Sequence, residues 1–213
     1  MIKHLVVTIL LSATFTSLFA QGYFEGEIEY KIDYQVKVNN DAAAYNPSYP
    51  AKGMRLIFKN GSWLQYLDAA KDYEYCFFDR KHNRECWKYR GYDTLIYFPA
   101  GKRGGGDEDS LVSVQVTRHA GNVLNRDCNK LVFKTHAMQL TMYFDPNLRI
   151  DPAWFEAVKL NYYDVIYTNM KSLYLKLIWE TPKFVVTYTA VRVQPRPVDP
   201  KEFAAVSSLP MKL

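Results

Sequence analysis

Between positions 24 and 38 the even residues read Phe24, Gly26, Ile28, Tyr30, Ile32, Tyr34, Val36 and Val38. The odd residues between them read Glu25, Glu27, Glu29, Lys31, Asp33, Gln35 and Lys37. A period of two held over this length predicts a β-strand with one buried and one solvated face. At ~3.3 Å per residue it would run about 50 Å, so it should twist and curl around a core rather than lie flat. Gly26, on the buried face, marks a bend or a close backbone approach. Positions 39–50 carry Pro47, Pro50 and little periodicity, and read as a loop.

Met54, Leu56 and Phe58 then alternate with Arg55, Ile57 and Lys59 up to Asn60-Gly61. An Asn-Gly pair between such runs predicts a two-residue hairpin. Further strands are expected at 62–68, 73–78, 85–90, 94–98, 111–117, 128–135 and 139–144. A last hairpin, 173–179 with 184–193, turns near Thr181-Pro182-Lys183. Asp151-Pro152 and Asp199-Pro200 each pair an N-cap with a proline at the first helical position, predicting two short helices. The first would carry Trp154, Phe155 and Val158. The whole reads as mainly β, a single curled antiparallel sheet or partial barrel of about nine to eleven strands with two short helices near the C-terminus.

The stretch before the first strand changes the expected compartment. Lys3 and His4 precede a run from Leu5 to Ala20 without charge, the form of a secretory signal peptide ending near Ala20. Thr8, Ser12, Thr14, Thr16 and Ser17 interrupt it, and it falls short of the ~20 apolar residues a spanning helix needs. The expected organisation is a leader over 1–20 and a single β-rich envelope domain over 21–213, periplasmic or secreted, with no membrane-spanning segment after cleavage. Without Lys3 the chain keeps 27 − 1 = 26 basic against 22 acidic side chains, net +4. That mild excess has no basic run, so no nucleic-acid partner is expected.

Export would place Cys76, Cys86 and Cys128 in an oxidising compartment. Cys76 and Cys86 lie symmetrically about Lys81, on either side of the polar segment 79–84. If that segment is a hairpin loop, a cross-strand disulfide between them is expected, leaving Cys128 a buried thiol. The bond requires directly opposed positions, and a bulge would place the sulfurs on opposite faces. A Cys86–Cys128 pair is the alternative.

Candidate catalytic groups are sparse in the sequence. His82, His119 and His136 are widely spaced, and neither Cys-x-x-Cys nor His-x-x-x-His occurs, so no metal site or cofactor is expected. His119 with Asp127 and Cys128 could be drawn as a metal or nucleophile cluster. Ser62 follows Asn60-Gly61 and lacks a nucleophile elbow. The glycine-rich stretch 101–109 lacks the Gly-Lys-Ser/Thr ending of a phosphate-binding loop. Glu25, Glu27 and Glu29 read as a solvated strand face. Most of the 17 tyrosines alternate with aliphatic residues, which makes core packing the default for Tyr30, Tyr34 and Trp179, whereas Trp63, Trp87 and Trp154 lie near turns and are expected to be more exposed.

Several short patterns occur together. They are Phe24-x-Gly26-x-Ile28-x-Tyr30 after the leader, Lys52-Gly53-Met54-Arg55, Leu67-Asp68, the Cys128 segment, Tyr143-Phe144-Asp145-Pro146-x-Leu148-x-Ile150-Asp151-Pro152, and Thr189-Ala190-x-x-Val193 ahead of Phe203. On these the chain resembles secreted envelope proteins of the GLPGLI type, similar in turn to the LolA/LolB-like lipoprotein carriers. The pattern departs at Asn125, where a glycine is expected, and no long helical lid follows Ile150. The resemblance implies a curved antiparallel sheet wrapped on short helices, and no activity.

Together these readings point to a non-enzymatic binding protein that holds an apolar ligand or a lipidated partner on the concave face. The candidate contact residues are Tyr30, Tyr34, Trp63, Trp87, Trp154 and Trp179. The alternative is a surface interaction module, for glycan or protein, using exposed aromatics. A hydrolase would need a serine, a base and its orienting carboxylate gathered in one cleft.

Overall fold

The computed structural model describes residues 22–37, 51–103 and 109–212. The expected leader over 1–20, the expected loop over 39–50 and part of the glycine-rich stretch lie outside them.

Among the described residues twelve strands form one open, curled sheet. They are β1 (Gly26–Val36), β2 (Gly53–Lys59), β3 (Ser62–Asp68), β4 (Tyr73–Asp79), β5 (Arg84–Tyr89), β6 (Leu95–Pro99), β7 (Leu111–Val123), β8 (Arg126–Thr135), β9 (Gln139–Arg149), β10 (Ser172–Glu180), β11 (Phe184–Pro195) and β12 (Met211–Lys212). Their order is β12-β6-β5-β4-β3-β2-β1-β11-β10-β9-β8-β7. The chain starts at the centre, steps outward to β6, crosses to the far edge at β7, and steps back until β11 closes on β1. All these pairings are antiparallel except β12 beside β6.

The hairpins follow local chemistry. Asn60 and Gly61 both adopt positive φ, +48° and +80°, and join Lys59 to its partner Ser62. Leu124 and Asn125 turn β7 into β8 in the same way. Curvature comes from irregular pairing, with register shifts at Glu29/Tyr30 in β1, between Thr117 and Gly121 in β7 and twice in β10. An extra residue on one strand bends it and increases its twist. Gly26 meets the second expectation placed on it, the close backbone approach. Its φ is +151°, and a Cβ there would lie 2.3 Å from the Gln194 carbonyl on β11.

Among the described residues two short α-helices cover the two faces. Helix α1 (Tyr163–Met170) sits in the concavity with Ile166, Tyr167 and Met170 buried in the main core. Rings at its start touch both halves of the sheet, Tyr162 against Phe133 on β8 and Tyr163 against Trp63 on β3. The crossover from β6 to β7 is tied to the same turn. The Ala100 carbonyl accepts from the Lys159 and Leu160 amides, Arg103 pairs with Asp164 at 3.0 Å, and the Tyr162 hydroxyl donates to the Asp109 carbonyl.

Helix α2 (Pro200–Ser207) lies on the convex face, over a second core of Ile57, Leu64, Phe77, Cys86 and Leu95, with Val198 and Val206. Strands β2–β5 are therefore apolar on both faces, as sheets covered twice must be. Asp199 caps α2 as expected, in a full capping box with Glu202. The other Asp-Pro pair begins only a 3-10 turn, Pro152–Phe155, capped by Asp151. The α-helix comes eleven residues after Pro152 (163 − 152), at a start whose N-cap side chain makes no hydrogen bond. Its sequence, rich in aromatic and β-branched residues, has weak helix propensity, so burial in the concavity holds it.

The expected disulfide is corrected. All three cysteines are free and buried. The β4–β5 turn sets Cys76 opposite Trp87 and Phe77 opposite Cys86. Cys76 thus faces the main core and Cys86 the convex core, one residue out of phase. Cys128, expected as a buried thiol, is one, on β8 in the main core.

Candidate ligand cavity

Alternation decides which side chains look inward, and the curl brings them together. From the first half come Met54, Leu56 and Phe58 on β2, Trp63, Gln65 and Leu67 on β3, Tyr73 on β4, and Glu85 and Trp87 on β5. From the second half come Leu140 and Met142 on β9, Leu177 and Trp179 on β10, and Tyr188 on β11. Tyr163, Ile166 and Tyr167 of α1 close one side. The cavity measures about 420 Å³ and is open on one side to solvent. That is within the size range of small-molecule sites, which are mostly apolar with few polar groups.

Its walls are strongly aromatic. The Tyr73 ring lies 4.7 Å from Trp87 and 4.5 Å from Tyr89, and Tyr163 lies 5.7 Å from Tyr167. Trp63 stands edge-on to Tyr163.

Glu85 is the exception among these residues. It is 4% exposed, its Oε1 accepts a 2.6 Å hydrogen bond from the Trp87 indole, and its Oε2 has no partner among the described residues. Burial pushes its carboxyl up to about 7, and the Trp87 bond opposes this only in part. The Trp179 indole Nε1 is likewise buried without a partner among the described residues. A buried polar atom left unpaired costs ~1–3 kcal/mol, and the two residues that carry these atoms, Glu85 and Trp179, both line the cavity. Among the described residues no lysine, arginine or histidine lines it. Burial also raises Tyr163, with the nearby Glu85 charge adding to it.

Of the six residues expected to contact a ligand, Trp63, Trp87 and Trp179 line the cavity. The other three do not. Tyr30 is buried beneath it, its hydroxyl donating to the Tyr174 carbonyl at 2.7 Å. Tyr34 packs against Phe184 further along the sheet. Trp154 packs between Tyr23, Phe58 and Arg80. The expected exposure of Trp63 is corrected too, since it is 4% exposed. Sequence reasoning missed Glu85, although it shares its parity with Trp87 and Tyr89. A charge in phase with inward aromatics was the available signal.

Polar clusters lie outside the cavity. On the convex side Ser62, Asp79 and His82 line one cleft near α2. The His82 ring bonds Asp79 at 2.6 Å, but Arg84 takes the same carboxylate oxygen at 2.9 Å, and no bond joins Ser62 to the imidazole among the described residues. His119 pairs with Asp127 on the exposed β7–β8 hairpin, while Cys128 points inward and donates to the Arg126 carbonyl. No group of three His, Cys, Asp or Glu suited to a metal occurs among the described residues.

No family model and no curated protein matches the chain. Among solved structures it is similar to PNGF-II, described in C2 and P21 space groups, at 13% and 12% identity with TM-scores of 0.48 and 0.46. The match covers 87% and 88% of this chain but only 30% and 31% of those chains.

Proposed function

We propose that this chain is an exported, non-catalytic binding protein that holds an apolar small molecule, or the acyl part of a lipidated partner, inside the curled sheet. The observation that carries this reading is the cavity of about 420 Å³ between the two halves of the sheet, lined largely by aromatic and aliphatic side chains. An apolar ligand entering it would bury most of its surface, at roughly 25 cal/mol per Å² removed from water. The resemblance to lipoprotein carriers agrees with such a role. A surface module working through exposed aromatics loses Trp63, which is buried.

The test is uptake of a neutral environment-sensitive fluorophore such as diphenylhexatriene, with mass spectrometry of a solvent extract of the purified protein. Saturable uptake and a co-purifying apolar molecule are expected. Leu177→Trp, which fills the cavity from β10, should abolish uptake while the circular dichroism spectrum is kept. No saturable uptake, or uptake unchanged by Leu177→Trp, overturns the reading.

A further inference from the structure

We propose that the cavity selects an apolar ligand with a cationic amine head, held by the Glu85 carboxylate and the aromatic rings around it. This rests on the cavity being a ligand site and deepens that reading.

Among the described residues that line the cavity Glu85 is the one acidic side chain, and none is basic. A ligand with a carboxylate or phosphate head would therefore meet a like charge and no counter-charge. An ammonium head meets the opposite: a buried acceptor, Oε2, with no partner among the described residues. Its partner oxygen Oε1 is already fixed by the Trp87 indole, which orients the carboxyl without neutralising it.

The aromatic surroundings suit the same head. Tyr73 packs on Trp87 at 4.7 Å, and Trp63 and Tyr163 meet edge to face in the same cavity. Ring faces attract cations, more strongly where water is excluded. A carboxylate set among Trp and Tyr rings combines direct ion pairing with cation–π attraction. The remaining cavity, along Leu140, Met142 and Leu177, is apolar and takes the body of the ligand.

Protonation gives the proposal its signature. Empty, Glu85 holds its proton to about pH 7 because burial disfavours the charge. The ammonium pairs with the ionised form, so binding should strengthen as pH rises through that range. The titratable groups nearest Glu85 do not change charge there. Cys76 on β4 and Tyr163 on α1 are both raised by burial, as is Cys86 on the opposite face of β5. Phe98 stands opposite Glu85 on β6, and Gln65 on β3 accepts from the Cys76 thiol.

The experiment compares decylamine, decanol and decanoate by isothermal titration on the full chain at pH 5.5 and 7.5. At pH 7.5 decylamine should bind about tenfold or more tighter than the other two, the size of one charge-assisted hydrogen bond. Its affinity should fall at pH 5.5, while that of decanol changes little. Glu85→Gln should remove both the preference and the pH dependence and leave decanol binding intact. Should that variant fail to fold, the pH dependence of the unaltered protein decides by itself. Decanol or decanoate binding as tightly as decylamine at pH 7.5 overturns the amine head and leaves the apolar site standing. No binding of any of the three overturns both.

Discussion

Glu85 is the residue whose chemistry departs furthest from its type. Unfolded, its carboxyl titrates near 4.5, and folded at about 7. Between those values the folded chain keeps a proton that the unfolded chain has released. Stability should therefore fall as pH rises from about 4.5 to about 7 and stay lower above that. At about 1.4 kcal/mol per pH unit, the effect is roughly 3 kcal/mol. Urea midpoints of the unaltered chain and Glu85→Gln, measured across this range, should diverge with rising pH, the variant being the more stable at pH 8. The thiols give a second check at this scale. Burial raises Cys76, Cys86 and Cys128 alike, and all three are free. The thiolate is the reacting form, so a disulfide-exchange reagent at pH 8 should titrate them only after denaturant is added. Rapid native reaction, or fewer than three thiols in denaturant, would contradict this placement.

Among the elements, α2 and the seam between β1 and β11 do separate work. Helix α2 closes the convex core, and the Asp199 carboxylate accepts from Lys201 at 2.9 Å while Glu202 accepts from the Asp199 amide at 3.1 Å. Asp199→Ala should cost about 1 kcal/mol, the usual worth of a cap. Leu64→Ala, in the core under that helix and fully buried, should cost roughly 2–5 kcal/mol, both read by chemical denaturation. At the seam, Gly26→Ala places a methyl 2.3 Å from the Gln194 carbonyl in a backbone conformation that L-residues avoid. A loss of at least ~1–3 kcal/mol is expected there. The start of α2 was legible in Asp199-Pro200. Helix α1 was not, because no side chain caps its start and its residues favour strands as much as helices.

For the molecule as a whole, the chain winds outward from β1 and returns to it, so the first and last long strands form the middle of the sheet. Their pairing covers the full length of β1, from Gly26 with Pro195 to Val36 with Phe184. Amides of β1, β2 and β11 should exchange with solvent most slowly, while β7 and the two-residue β12 at the edges should exchange fastest. Hydrogen exchange read by mass spectrometry tests this, and fast exchange of β1 together with the edges would contradict the winding.

The alternation of apolar and polar residues determined the strands, because a side chain's face depends only on its parity along the chain. The hairpin at Asn60-Gly61 and the close approach at Gly26 followed for equally local reasons, namely turn chemistry and the absence of a Cβ. Tertiary structure decided what parity leaves open. Ile57, Leu64, Phe77 and Cys86 occupy outward positions that only α2, arriving from the far end of the chain, makes into a core. The phase between Cys76 and Cys86 depended on the β4–β5 turn, and one residue in that turn separates a bridged pair from two thiols on opposite faces. Trp87 and Trp179 share a cavity, and Glu85 becomes its buried carboxyl, only because the sheet curls until distant strands face each other.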